Sequence, residues 1–180
     1  LPVACAVVNP HRPDCSYPFK ELAGVGVALK LAAALEDGDY TAVLEDYADI
    51  VAIGTVADIV PLVRENRLIV MEGLAAINNA SRCGIHALRQ VAGQAEKDLN
   101  SVGIAFMLAP RINAAGRMGK IECAVELFLT EDPQRADELA AALCEMNRQR
   151  QSVESEIYDQ AVQMLPEGQQ PLLHLVEQIG

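Results

Sequence analysis

From Asp132 to Leu165 the chain reads DPQRADELAAALCEMNRQRQSVESEIYDQAVQML, with no glycine and no proline after Pro133. A stretch that long without a helix breaker dictates one rod, on the order of 45 Å at about 1.5 Å per residue. Asp132 suits the N-cap, and Pro133 suits the first helical position, where a missing N–H costs nothing. Leu139, Leu143, Met146, Val153, Ile157 and Met164 recur at an approximate 3,4 spacing, with Arg150 and Ala161 in the intermediate places. One narrow face is therefore apolar and the rest is charged. Such a helix suits a connector between domains better than a core element, and a coiled-coil arm of a homo-oligomer is the alternative. The expected organisation is a domain over residues 1–131, the connector over 132–165, and the truncated start of a second domain over 166–180.

Upstream, VACAVVNP is a short β-branched run ending in Asn-Pro, which reads as a buried strand of a parallel sheet. After a polar loop, FKELAGVGVALKLAAAL carries Leu22, Val25 and Leu29 at helical spacing, so a βα unit and an α/β fold class are expected. Gly24 and Gly26 fall within that helix, either for tight packing on a sheet or because something approaches closely. TAVLEDYADIVAIGTVADIV starts like a helix with Thr41 as a candidate N-cap and then turns apolar on all sides, leaving helix and strand equally open. RENRLIVMEGLAAIN and CGIHALRQVAG read as helices, and SVGIAFMLA as another that starts at Asn100 or Ser101 and stops before Pro110. The chain as a whole reads as predominantly helical.

With 180 residues, 51% of them hydrophobic and 22% charged, there is apolar material for one ordinary core. No apolar run reaches the roughly 20 residues needed to span a bilayer, and LPVACAVVNPHRP has no basic leader, so a cytoplasmic protein without a membrane partner is expected. The cysteines, Cys5, Cys15, Cys83, Cys123 and Cys144, never form a C-x-x-C pair and read as small hydrophobes. His11, His86 and His174 are too dispersed to suggest a metal or catalytic motif. A net charge of −11 counts against nucleic acid as a partner unless a local basic patch reverses it.

Two stretches concentrate chemistry. VAIGTVADIVPL sets a single acidic residue, Asp58, in an apolar run, where an ionised carboxylate needs a cation, N–H donors or a proton. APRINAAGRMGK gathers Arg111, Arg117 and Lys120 among small residues, a composition that admits a phosphate close to the backbone. The arginines could equally pair with carboxylates, and Gly116 and Gly119 could simply end a helix.

Taken in order, AIGTVADIVPL followed by ENR, then APRINAAGRMG, then NRQR in a long helix, resemble the RecJ branch of the DHH phosphoesterases. LPVACAVVNPHRPDCSYPFKELAGVGVALKL is similar to the segment that follows the DHH motif there, so the resemblance runs to about Leu165. It implies the later half of a DHH-type parallel-sheet domain from a metal-dependent exonuclease that digests single-stranded DNA from the 5′ end in repair and recombination. It implies that Asp58 is a ligand of catalytic Mn²⁺ or Mg²⁺, and makes Arg111, Asn113 and Arg117 candidates to contact substrate phosphates. The Asp-His-His itself, the acidic first motif and the motifs of the second domain are absent from these residues. An internal fragment is therefore expected, binding metal poorly and cleaving nothing by itself. A DHH enzyme for short oligonucleotides, or a non-catalytic scaffold with a hydrogen-bonded Asp58, are the competing readings.

Overall fold

The computed structural model describes residues 3–79 and 82–164, and among these the regular structure is entirely helical. The helices are α1 (Gly24–Leu35), α2 (Tyr40–Ala57), α3 (Arg64–Asn78), α4 (Cys83–Val91), the short α5 (Ser101–Gly103), a π-helical turn (Ile104–Leu108), α6 (Ala109–Arg117), α7 (Ile121–Leu129) and α8 (Pro133–Gln163). The run at residues 3–8, expected to be a buried strand, is instead surface chain without regular structure, with Val3 and Val8 exposed. A strand needs a neighbour to take its backbone N–H and C=O groups, and the described residues provide none.

The α2 segment, which sequence periodicity left open, is a helix capped by Asp39, whose side chain accepts from Ala42 N at 3.0 Å. Thr41 lies inside the helix and does not cap it. Val51, Ala52, Ile53, Thr55 and Val56 are all buried, which explains the loss of periodicity. α2 lies directly against α3, because a Cβ on Gly73 would stand 2.2 Å from Ala52 Cβ and 2.3 Å from the Ala48 carbonyl. Where α4 meets α7 the contact is tighter still, with a Cβ on Gly84 falling 1.8 Å from the Leu127 carbonyl oxygen.

The principal core joins the C-terminal half of α2 with α3, α4, the π turn, α6, α7 and α8, around Ile77, Leu88, Ile104, Leu108, Leu127 and Leu143. At about 1.5–3 kcal/mol for each fully buried large aliphatic side chain, these residues dominate the packing energy. Phe19, Leu22, Leu29, Val43, Val51 and Ile69 form a second cluster that fastens α1 to α2 and α3. Around its edge, Tyr17 Oη donates to Glu65 Oε1 at 2.7 Å, and Lys30 Nζ pairs with Glu65 Oε2 at 2.5 Å.

α8 forms as expected, with the Asp132 side chain accepting from Gln134 N at 3.0 Å. Its first half is a core element, a role the sequence ranks below that of connector. Ala136, Leu139, Ala140, Leu143, Met146 and Asn147 are buried in the principal core, whereas Val153, Ile157 and Met164 on the far half are exposed. The NRQR stretch marks the change, since Asn147 is the last buried residue and Arg148 and Gln149 are exposed.

Helix formation continues through Pro110, where the sequence suggested a stop. A proline lacks the N–H that would bond the carbonyl four residues back, and the π turn absorbs that mismatch, with Ala109 N bonding the Ile104 carbonyl five residues back. The helical path therefore runs from Ser101 to Arg117 with one bulge in it.

Candidate functional site

α1, α2 and α6 enclose one side of an open cavity of about 600 Å³, bounded by Gly24, Val25, Gly54, Ala57, Asp58, Asn113, Gly116 and Arg117. Three of the four candidate site residues meet here. Arg111 does not line the cavity.

Asp58 reaches it because α2 ends one residue earlier. Asp58 N still bonds the Gly54 carbonyl at 3.1 Å, and Ile59 N bonds the Val56 carbonyl at 3.2 Å, so the helix closes and the chain turns away. Ile59 adopts φ +57°, the left-handed region, where a β-branched side chain costs about 1–3 kcal/mol. Its side chain is 89% exposed and gains nothing by burial to offset that cost. Arg64 is also left-handed at φ +47°, so both ends of the loop after Asp58 are strained.

Asp58 is exposed, not enclosed by the apolar run that precedes it. The carboxylate buried within α2 is Asp49, 3% exposed, which pairs with Arg82 at 3.1 Å. The need for compensation at Asp58 is instead one of position. A carboxylate at a helix C-terminus meets the negative end of the macrodipole, at a cost of about 0.3–1 kcal/mol that a cation relieves.

The opposite wall comes from α6, where Asn113, Gly116 and Arg117 share a face at 3,4 spacing. Arg117 is exposed in the last turn, where the dipole favours a cation, and it enters no ion pair among the described residues. Arg111 is half-buried and donates from Nη1 to the Met107 carbonyl one turn back. Its Nε is buried without a hydrogen-bond partner.

Glycine shapes the remaining surface. A Cβ on Gly54 would come 2.9 Å from Val25 Cγ1, so glycine there lets α1 lie against α2 and carries Gly24 toward Asp58. Gly24 opens α1 instead of lying within it, and nothing stands within 4 Å of where its Cβ would be. The space beside it is open to a ligand. Of the two explanations for these glycines, packing on a sheet has no counterpart among the described residues.

A carboxylate, a carboxamide and a guanidinium around a glycine-walled cavity suit a ligand that brings both positive and negative charge. Asp58 offers a hard oxygen ligand, as Mg²⁺ and Mn²⁺ prefer, and the Asn113 amide oxygen offers a neutral one. Among the described residues there is no group of three or more His, Cys, Asp or Glu side chains able to hold a metal ion. The donor set fits a share of a metal centre and not a whole one. His11 and His86 lie outside the cavity, and His174 lies outside the described residues.

Sequence reasoning missed Gly54 and Gly116 as cavity residues, although both sit within the motifs that drew notice. It also missed Asn66, fully buried behind the Asp58 loop, whose Nδ2 donates to the Glu21 carbonyl at 2.6 Å and the Pro61 carbonyl at 3.0 Å.

No protein-family model matches the sequence. The chain is 44% identical over 165 residues to the single-stranded-DNA-specific exonuclease RecJ of Bacillus subtilis (strain 168), an alignment covering 92% of this chain and 20% of that protein. The crystal structure of RecJ from Thermus thermophilus in complex with Mn²⁺ matches with a TM-score of 0.70 at 37% identity, over 87% of this chain and 23% of that one. The corresponding complex with Mg²⁺ gives a TM-score of 0.69 at 37% identity, over 86% and 24%. The chain thus spans about a fifth to a quarter of the length of these relatives.

Proposed function

We propose that this chain, which belongs to the RecJ family, forms one side of the active cleft in a metal-dependent exonuclease that hydrolyses phosphodiester bonds of single-stranded DNA. The observation that carries the reading is the shared cavity of Asp58, Asn113 and Arg117 beneath glycine walls. Identity of 44% across 92% of the chain supports the same assignment.

In this reading Asp58 contributes one carboxylate ligand to Mn²⁺ or Mg²⁺, with the other ligands supplied from outside these residues. The bound dication would supply Lewis-acid stabilisation of the charge that develops on the phosphoryl group. Arg117 offers a planar fork of N–H donors that neutralises a neighbouring phosphate, and Asn113 orients it through a neutral amide. Gly24 and Gly116 leave room for the sugar-phosphate backbone. Arg111, with Nη1 committed to Met107, keeps Nη2 for a phosphate just outside the cavity. The run at residues 3–8 becomes a strand of a parallel sheet whose other strands lie elsewhere in the enzyme, which accounts for its β-branched composition. The domain division at about residue 131 follows from the same assignment, with α8 leading out of the catalytic domain.

An overall charge of −11 is compatible with this substrate because Arg117 of α6 lines the cavity and puts a local positive charge there. The deciding experiment is Mn²⁺-dependent digestion of single-stranded DNA by the full-length enzyme carrying Asp58→Asn. Loss of metal charge compensation is expected to lower kcat/KM by about a hundredfold or more. Activity within about twofold of wild type would remove Asp58 from the metal centre.

A further inference from the structure

The two hydrogen bonds of Asn66 connect backbone segments that adjoin different walls of the cavity. Glu21 lies three residues before Gly24, the start of α1, and Pro61 lies three residues after Asp58. Only nitrogen can occupy that position, because an amide oxygen there would face two carbonyl oxygens. The other end of the amide, Oδ1, is buried with no hydrogen-bond partner. A leucine or methionine would avoid that loss, so the pair of donated bonds is what the asparagine provides. Between Pro61 and the end of α2 lies left-handed Ile59, a conformation that persists only where the surroundings over-determine it.

We propose that Asn66 is a positioning residue for the reaction, holding the Asp58 loop against the segment that leads into α1 and thereby fixing the spacing of the two cavity walls. It touches neither substrate nor metal and acts through the backbone at Pro61 and Glu21. Arg89 provides the contrast. It too is buried and donates to carbonyls, those of Ile77 and Lys97 at 2.7 and 2.9 Å, but neither lies within three residues of a cavity-lining position, as Glu21 and Pro61 do. The proposal rests on the reading of Asp58 as a metal ligand.

The test uses the full-length enzyme as wild type, Asn66→Asp, Asn66→Ser and Asp58→Asn. Amide hydrogen exchange is followed at residues 19–25 and 58–63, with residues 139–147 of α8 as the reference, and Mn²⁺ affinity is measured by calorimetry. Asn66→Asp keeps the shape and replaces the two N–H donors with a carboxyl set against two carbonyl oxygens. It is expected to speed exchange in both segments by about tenfold with α8 unchanged, and to raise the Mn²⁺ Kd by about tenfold, the scale typical of outer-shell supports. Asn66→Ser retains one donor and falls between; if the Asp variant does not fold, the Ser variant decides by the same readings. Unchanged exchange at both segments, equal acceleration in α8, or an unaltered Kd despite loosened segments overturns the proposal. A wild-type Kd no tighter than that of Asp58→Asn overturns the metal reading and the proposal with it, whereas the first three results overturn the proposal alone.

Discussion

The seam between α4 and α7 and the cavity between α1 and α6 both depend on glycine, and in opposite senses. At Gly84 the missing Cβ is already replaced by the Leu127 carbonyl, so the absent atom has been spent on contact between backbones. At Gly24 the same absence opens onto empty space beside Asp58. Helix pairing in the core and access at the site thus use one residue type, and only the surroundings tell them apart. Polar side chains brace both regions: at the seam Cys83 Sγ donates to the Thr130 carbonyl at 2.8 Å and Arg82 Nη1 to the Phe128 carbonyl at 3.4 Å, and at the site end Asn66 lies behind the loop.

The largest effect expected from this contrast belongs to Gly84→Ala. A methyl 1.8 Å from a carbonyl oxygen forces the helices apart, with a loss of about 3 kcal/mol or more in a denaturant or thermal melt. A loss under about 1 kcal/mol would mean that the α4–α7 seam yields easily and is not the fixed reference this comparison makes it.

Gly24→Ala should do the reverse. With open space and no left-handed φ, it is expected to leave stability unchanged or raise it by about 0.4–1 kcal/mol. Digestion of single-stranded DNA by the full-length variant should nevertheless decline if the proposed substrate path runs through the cavity that Gly24 lines. Unaltered digestion would return Gly24 to a purely local role.

The smallest effect is in the acid limb of stability. Burial alone would raise the Glu65 carboxyl, but donation from Lys30 and Tyr17 outweighs it and holds the group below the ordinary glutamate value. A carboxylate depressed in the folded state stabilises above its unfolded pKa and loses that contribution as pH falls through the folded one. The stability advantage of wild type over Glu65→Gln should therefore shrink as pH drops below about 4.3, while melts at neutral pH keep it. An advantage independent of pH would place the value of Glu65 in packing instead of charge.

How much of this was legible in sequence depended on whether the decisive interaction was local. α3, α4 and α8 follow from periodicity, breakers and the Asp132 cap, all contained within a few residues. The cavity motifs were also visible, since Asp58, Asn113 and Arg117 stand among small residues that leave a backbone accessible. The rest was set at a distance. The run at 3–8 has the composition of a strand, but pairing depends on a neighbour and the composition of one segment cannot supply it. Pro110 is a breaker by local rules, and the π turn that accommodates it arises where buried Ile104 and Leu108 hold the helix in the core. Asp58 looked enclosed because burial was inferred from its neighbours, whereas the helix end turns it outward. α7, Ile121–Leu129, carried no expectation of its own, since nine residues after Gly119 leave little room for a periodic signal.

The unbroken course of α8 has a consequence in angular phase. Its buried half is keyed into the core, so each residue beyond Asn147 fixes a direction as well as a distance. Inserting one residue in the exposed half would lengthen the rod by only about 1.5 Å yet turn the departing chain by about 100° around its axis. Inserting seven would lengthen it by roughly 10 Å and restore the heading to within about 20°. Along this helix, length is forgiving and azimuth is not.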